Sequence, residues 1–130
     1  MSNLADMFGS NCQVFDDDEN LASVGTSLLF WDDDPLRLFV EQVESRIRIF
    51  DDGMVLMHMF GSGIHYRNEN LMQSTANIAA LEGVCLNAEG EFEIWARSGE
   101  NPDAFARYMS AMVALLKWEA AEVNRLSTPP

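Results

Sequence analysis

Two stretches of alternating apolar and charged side chains constrain the fold of this chain more than any other feature. In residues 36–43, Leu36, Leu38 and Val40 recur at every second position, and in residues 46–50 Ile47 and Ile49 do the same. A period of two puts alternate side chains on opposite faces of a β-strand. The two residues between the stretches are enough for a hairpin turn. The pattern therefore predicts an antiparallel pair of strands with one buried face.

Further strands are predicted on both sides of this pair. Residues 26–31 form a continuous apolar and β-prone run, and the acidic turn of residues 32–35 follows it. Residues 84–86 and 91–97 read as a hairpin, because Phe92, Ile94 and Ala96 alternate with Glu91, Glu93 and Trp95. Together these segments predict an antiparallel sheet.

Helical patterns separate and follow the strands. A short helix is predicted at residues 4–8. Residues 54–60 could form a short helix or a strand, and we favour a helical turn. A longer helix should start at Asn68 or Asn70 and end near residue 82, with Gly83 as its C-terminal cap. Asn101 and Pro102 predict the start of a helix that runs to about Val123.

The order of the elements predicts an α+β fold. The predicted order is α-βββ-α-ββ-α, with the helices packed on one face of the antiparallel sheet. The length suits a single domain, which we expect to span residues 1–126 and to leave residues 127–130 as a flexible tail.

The negative charge of the chain limits the classes of partner that we expect it to bind. The formal net charge is −13, and residues 1–52 hold 12 acidic and 3 basic side chains. Binding to nucleic acid or to anionic membranes relies on Lys and Arg, so we expect neither to be a direct partner. A basic protein partner would suit this charge. No apolar run approaches the roughly 18–20 residues of a membrane span. With two cysteines and no apparent signal peptide, a cytoplasmic location is expected.

Two acidic segments and one tryptophan are the predicted partner-binding residues. The segments are expected to be exposed loops, and Trp95 shares its side of a predicted strand with Glu91 and Glu93. Tryptophan is enriched at binding hot spots. Both segments could equally be no more than solvated loops. The candidates are Asp16, Asp17, Asp18, Glu19, Asp32, Asp33, Asp34 and Trp95.

Metal and cofactor sites are not expected. The run from Asp16 to Asn20 superficially resembles a calcium loop, but Leu21 and Ser27 stand where such a loop needs Gly and Glu. His58 and His65 stand seven residues apart without a nearby cysteine, so a core-edge and a loop position are predicted for them.

Catalytic residues are not predicted either. The chain carries no nucleophile elbow, phosphate-binding loop or dinucleotide fingerprint. Cys85 is expected to be buried and inert. Asp51 and Asp52 could act as a catalytic pair only if they were buried together with a raised pKa, and a turn is the simpler interpretation.

The segment from Arg46 to Gly53, RIRIFDDG, resembles an uncharacterised prokaryotic and phage family, the domain of unknown function 1828. Gly63, Arg67, the helix of residues 71–81 and Gly83-Val84 continue the resemblance, which covers about residues 24–118. It implies a fold and no activity. In element order, size and acidity the chain is also similar to class I type III secretion chaperones, which are small acidic homodimers.

These observations support a non-catalytic acidic binding protein. The predicted partner has a basic, nucleic-acid-handling surface. The chain would then be an immunity protein or antitoxin that neutralises a toxin, or a phage protein that neutralises a defence complex. The alternative is a homodimeric secretion chaperone that holds an extended peptide. A third possibility is a small enzyme that uses Asp51, Asp52 or His65.

Overall fold

A computed structural model describes the backbone of residues 12–15, 18–97 and 99–127, and the side chains of residues 20–97 and 99–125. In this described part, six strands form one antiparallel sheet in the order β1-β2-β3-β4-β6-β5. The strands are β1 (Cys12–Phe15), β2 (Asp18–Leu29), β3 (Pro35–Val43), β4 (Arg46–Phe50), β5 (Cys85–Leu86) and β6 (Phe92–Arg97).

The alternating strands bury one face of the sheet. Leu36, Leu38 and Val40 of β3 are fully buried, and β4 and β6 continue the same layer. In the register, Val40 pairs with Ile49 and Ile49 with Ile94, so apolar side chains stand beside one another across three strands. Each such buried side chain stabilises the fold by about 1.5–3 kcal/mol.

The helices cover this apolar face. They are α1 (Met54–Gly61), α2 (Leu71–Ala80) and α3 (Asn101–Ser127), with a 3-10 turn at Ile64–Tyr66 between α1 and α2. The helix α3 contacts α2, β4 and β6. Tyr108, Met112 and Leu115 of α3 are buried in the core at helical spacing, and the hydroxyl of Tyr108 donates a 2.7 Å hydrogen bond to the Phe92 carbonyl. Within the described residues, no helix is long and apolar enough for a membrane crossing.

The α+β class and the placement of the helices on one face are confirmed. From β2 onward the elements follow the predicted order, and the helical turn predicted at 54–60 is the eight-residue helix α1. The helix predicted at residues 4–8 lies outside the described residues, as do residues 128–130 of the predicted tail. The last helix extends through Ser127, beyond the predicted end near Val123.

The prediction of a loop at residues 16–20 is wrong for residues 18–20. The strand β2 already begins at Asp18, which pairs with Phe15 of the additional strand β1, and residues 16 and 17 are not described. Strand pairing gives the backbone N–H and C=O groups partners even where the side chains are charged. The charged side chains at the beginning of β2 therefore gave no indication that the sheet extends through them.

Cys85 is also placed differently from the prediction. It is exposed, because β5 has only two residues and pairs only with β6 at the edge of the sheet. By contrast, Gly83 caps α2 as predicted. It has a φ of 76°, its N–H donates to the Ala80 carbonyl, and the N–H of Val84 donates to the Ala79 carbonyl. These two bonds form a Schellman motif.

Candidate functional site

The turn between β2 and β3 carries Trp31 and the second acidic segment. Hydrogen bonds from Phe30 N to Asp34 O and from Asp33 N to Phe30 O close the turn. Asp33 takes a left-handed φ of 69°, a conformation that Asp and Asn tolerate better than most residues. The closed turn exposes Asp32, Asp33 and Asp34 and leaves Trp31 half exposed.

A buried carboxyl group fixes the start of α1. The oxygens of Asp51 accept hydrogen bonds from the backbone N–H groups of Gly53, Val55 and Phe92, at 3.2, 3.0 and 2.9 Å. Burial raises the pKa of Asp51 to about 6, although the three N–H groups favour the ionised form. Asp52 beside it is exposed, so the two carboxyl groups are not buried together. The predicted turn is present, and Asp51 serves as its anchor and as the helix cap.

His58 lies where α1, α3 and the β2–β3 turn meet. Its Nδ1 is 2.6 Å from Oε2 of Glu119, and its Nε2 is 2.9 and 3.0 Å from the two carboxylate oxygens of Asp32. The Phe30 ring stacks on the imidazole with centroids 3.9 Å apart. His58 therefore joins a buried carboxylate of α3 to an exposed carboxylate of the turn.

The two carboxylates determine the charge of His58. Burial disfavours the imidazolium, but the hydrogen bonds with Glu119 and Asp32 outweigh burial and raise the pKa of His58 above its ordinary value. Partial burial would raise the pKa of Asp32, but the hydrogen bond from His58 lowers it. Asp32, Asp34 and His58 also offer three possible metal-ligand atoms within 4.8 Å of one another.

The exposed Trp31 lies beside this cluster. The indole N–H of Trp31 donates to Ser62 Oγ at 3.2 Å, which holds the turn against the C-terminal end of α1. We call Trp31, Asp32, Asp33 and Asp34 the acidic–aromatic surface. It combines carboxylates with a tryptophan, a residue that commonly anchors interfaces.

The predicted site residues do not form one surface. Asp18 and Glu19 lie at the beginning of β2, whereas Asp32, Asp33 and Asp34 follow its end. A regular 12-residue strand spans at most roughly 35 Å at about 3.3 Å per residue, and β2 contains an irregularity between Gly25 and Leu29, so the two acidic segments lie at opposite ends of this strand. Asp16 and Asp17 lie outside the described residues, and so do the side chains of Asp18 and Glu19.

Trp95 lies on the face of the sheet that the helices leave uncovered. Its side chain is 39% exposed, as the alternation predicted, and Arg46 stacks over its ring at 4.5 Å. Nearby on the same face, Arg48 binds Glu41, Glu91 and Glu93 at 3.2, 3.1 and 2.9 Å. Part of the acidic charge is thus neutralised here, on a different side of the molecule from the β2–β3 turn.

Local sequence patterns did not reveal the His58–Glu119 pair. The two residues stand 61 positions apart, so no spacing rule links them. One signal was present in the sequence. Glu119 continues the buried stripe of Tyr108, Met112 and Leu115 on α3, and a carboxylate on an apolar stripe needs a partner.

Comparison with known proteins identifies the family of the chain. The family model described as domain of unknown function DUF1828 matches residues 26–115, which include Asp32, Asp34 and His58 but not Glu119. No curated protein and no solved structure matches the chain. Since the match covers more than half of the sequence, the chain belongs to the DUF1828 family.

Proposed function

We propose that this chain is a non-catalytic acidic protein-binding module of the cytoplasm. Its partner would be a protein with a basic, nucleic-acid-handling surface, and the chain would neutralise it as a toxin immunity protein, an antitoxin or a phage anti-defence protein does. The observation that carries the proposal is the acidic–aromatic surface, in which half-exposed Trp31 directly precedes three exposed carboxylates.

Charge and shape both support this role. The carboxylates of the turn can accelerate the encounter with a cationic patch, while Trp31 can provide the apolar anchor. The contacts from His58 to Asp32 and from Trp31 to Ser62 hold the turn in place before a partner arrives. A surface that is already ordered loses less conformational entropy on binding.

The residues considered for catalysis have other roles that fit this proposal. The three hydrogen bonds to the Asp51 carboxyl group come from the backbone N–H groups of Gly53, Val55 and Phe92. Asp51 therefore connects the start of α1 to the start of β6. His65 lies in the 3-10 turn, with its ring in contact with Phe60 and Tyr66 at 4.8 and 4.0 Å between centroids. Direct binding of nucleic acid or of a membrane is not part of the proposal, since both would meet the same carboxylates.

Quantitative affinity capture from the native host tests the proposal. The full chain, Trp31→Ala and Trp95→Ala serve as baits, and proteins that the wild type enriches are identified by mass spectrometry. We expect Trp31→Ala to lose a basic nucleic-acid-handling protein, with the purified pair weakened at least about tenfold. Trp95→Ala is the matched control on the other face and should retain it. Retention by Trp31→Ala with loss by Trp95→Ala would contradict the proposed surface.

A second candidate is the homodimeric secretion chaperone. Three apolar side chains favour it, since Met57, Tyr66 and Leu81 are each more than 70% exposed. Such side chains suit the apolar contacts that hold an extended peptide. Light scattering separates the candidates, because a chaperone of this class should be a stable dimer. The partner that it captures should be an exported effector, and their complex should persist at high salt.

A further inference from the structure

We propose that Asp32, Asp34 and His58 bind a divalent transition-metal ion of the zinc class, with Glu119 orienting His58 from behind. The inference goes beyond the proposed function, since the site requires no protein partner. Its failure would leave the acidic–aromatic surface as a protein-binding site.

The contact between His58 and Asp32 needs either a proton or a metal ion between the two side chains. When Nδ1–H donates to Glu119, a neutral imidazole presents a lone pair at Nε2 that a metal ion can use. Both oxygens of Asp32 stand within 3.0 Å of this nitrogen, and an ionised carboxylate has no proton to donate. A proton on Nε2 donates a hydrogen bond to Asp32, and a metal ion can take the place of this proton.

A third side chain completes a possible set of metal ligands. Oδ2 of Asp34 is 3.7 Å from Nε2, too far for a hydrogen bond but within the reach of a shared ion. The three donor atoms lie within 4.8 Å of one another, and ligands of a tetrahedral zinc ion with bonds of about 2.0–2.2 Å stand about 3.3–3.5 Å apart. A small movement of exposed side chains would therefore complete the coordination.

The position of Glu119 fits a metal-bound His58. The Glu119 side chain is fully buried, and its Oε1 has no hydrogen-bond partner within the described part of the protein. Metal-ligating histidines usually donate their second ring N–H to such a carboxylate. Glu119 stands in this position behind His58.

The donor set selects the class of metal. Calcium and magnesium prefer oxygen ligands throughout, whereas an imidazole nitrogen with carboxylates suits zinc and its first-row neighbours. Three protein ligands leave at least one position for water. The Asp34 side chain is 66% exposed, so the open side of the site faces solvent.

Calorimetric titration of the chelator-treated full chain with Zn²⁺ tests the inference. The wild type should bind one ion saturably, and Co²⁺ should give the visible absorption of a tetrahedral site. Asp34→Asn should weaken binding at least about tenfold by removing a ligand, and Glu119→Gln should weaken it about 10–100-fold. Circular dichroism checks that the buried Glu119→Gln substitution leaves the protein folded.

Asp33→Asn is the matched control. It removes the same charge from the same turn, and Asn tolerates the left-handed conformation of this position. Its metal affinity should stay within about twofold of the wild type if direct ligands, rather than the overall negative charge of the turn, bind the ion. Absence of saturable binding would assign the contact to a proton on His58 and overturn the inference. Equal losses in Asp33→Asn and Asp34→Asn would also overturn it.

Discussion

At the scale of single residues, the Asp51 carboxyl group connects two parts of the fold. It caps α1 through Val55 and accepts a hydrogen bond from Phe92 at the beginning of β6. Because all three donors are backbone N–H groups, a side chain without an acceptor would leave them unsatisfied.

Asp51→Ala should therefore lower the free energy of unfolding by about 1–3 kcal/mol at neutral pH. Urea denaturation monitored by circular dichroism measures the loss. Asp52→Asn is the control, since Asp52 is exposed and Asn tolerates its φ of 55°. It should change stability by no more than about 0.5 kcal/mol. A larger loss for Asp52→Asn than for Asp51→Ala would refute the capping role.

The raised pKa of Asp51 adds a dependence on pH. Burial raises this pKa from 3.8 to about 6, so the folded state holds the proton more tightly than the unfolded state. The contribution of protonated Asp51 to stability is complete below about pH 4 and declines as the pH rises through about 6. The difference in unfolding free energy between the wild type and Asp51→Ala should shrink by on the order of 2–3 kcal/mol from pH 4 to 7.5. A difference that grows with pH would contradict this assignment.

At the scale of the elements, local chemistry predicted most of the fold. Alternation at Leu36–Leu38–Val40 and at Ile47–Ile49 predicted β3 and β4, and the Gly83 cap marked the end of α2. The strand β1 and the beginning of β2 were missed because cross-strand pairing is a long-range property that charged side chains do not reveal. Exposure of Cys85 depends on its edge position, which the sequence of β5 does not show.

Two glycines at helix ends should respond in opposite ways to substitution by alanine. Gly83→Ala should destabilise the protein by roughly 1–2 kcal/mol, because its φ of 76° strains any residue with a Cβ. Gly61→Ala should be neutral or stabilise by about 0.4–1 kcal/mol, since Gly61 ends α1 without a positive φ and no atom lies within 4 Å of an added Cβ. Thermal denaturation of both variants gives the comparison, and equal effects would exclude the Schellman cap as the reason.

At the scale of the whole molecule, the acidic charge is divided rather than diffuse. The beginning and end of β2 place two acidic segments far apart, and Arg48 pairs with three glutamates on the uncovered face of the sheet. The candidate site joins Asp32, His58 and Glu119, which are separated by 26 and 61 residues. Composition predicted an acidic surface, but only the packing of α1 against α3 and the turn brings these side chains together.

The central claim is that exposed carboxylates of the β2–β3 turn bind a basic protein partner. Its most direct test is the dissociation constant of the purified pair, measured from about 0.05 to 0.5 M NaCl for the wild type and Asp33→Asn. We predict that salt weakens wild-type binding at least about fivefold, and that Asp33→Asn binds more weakly and with a shallower salt dependence. A dissociation constant that does not change with salt, and is the same for both proteins, would contradict the claim.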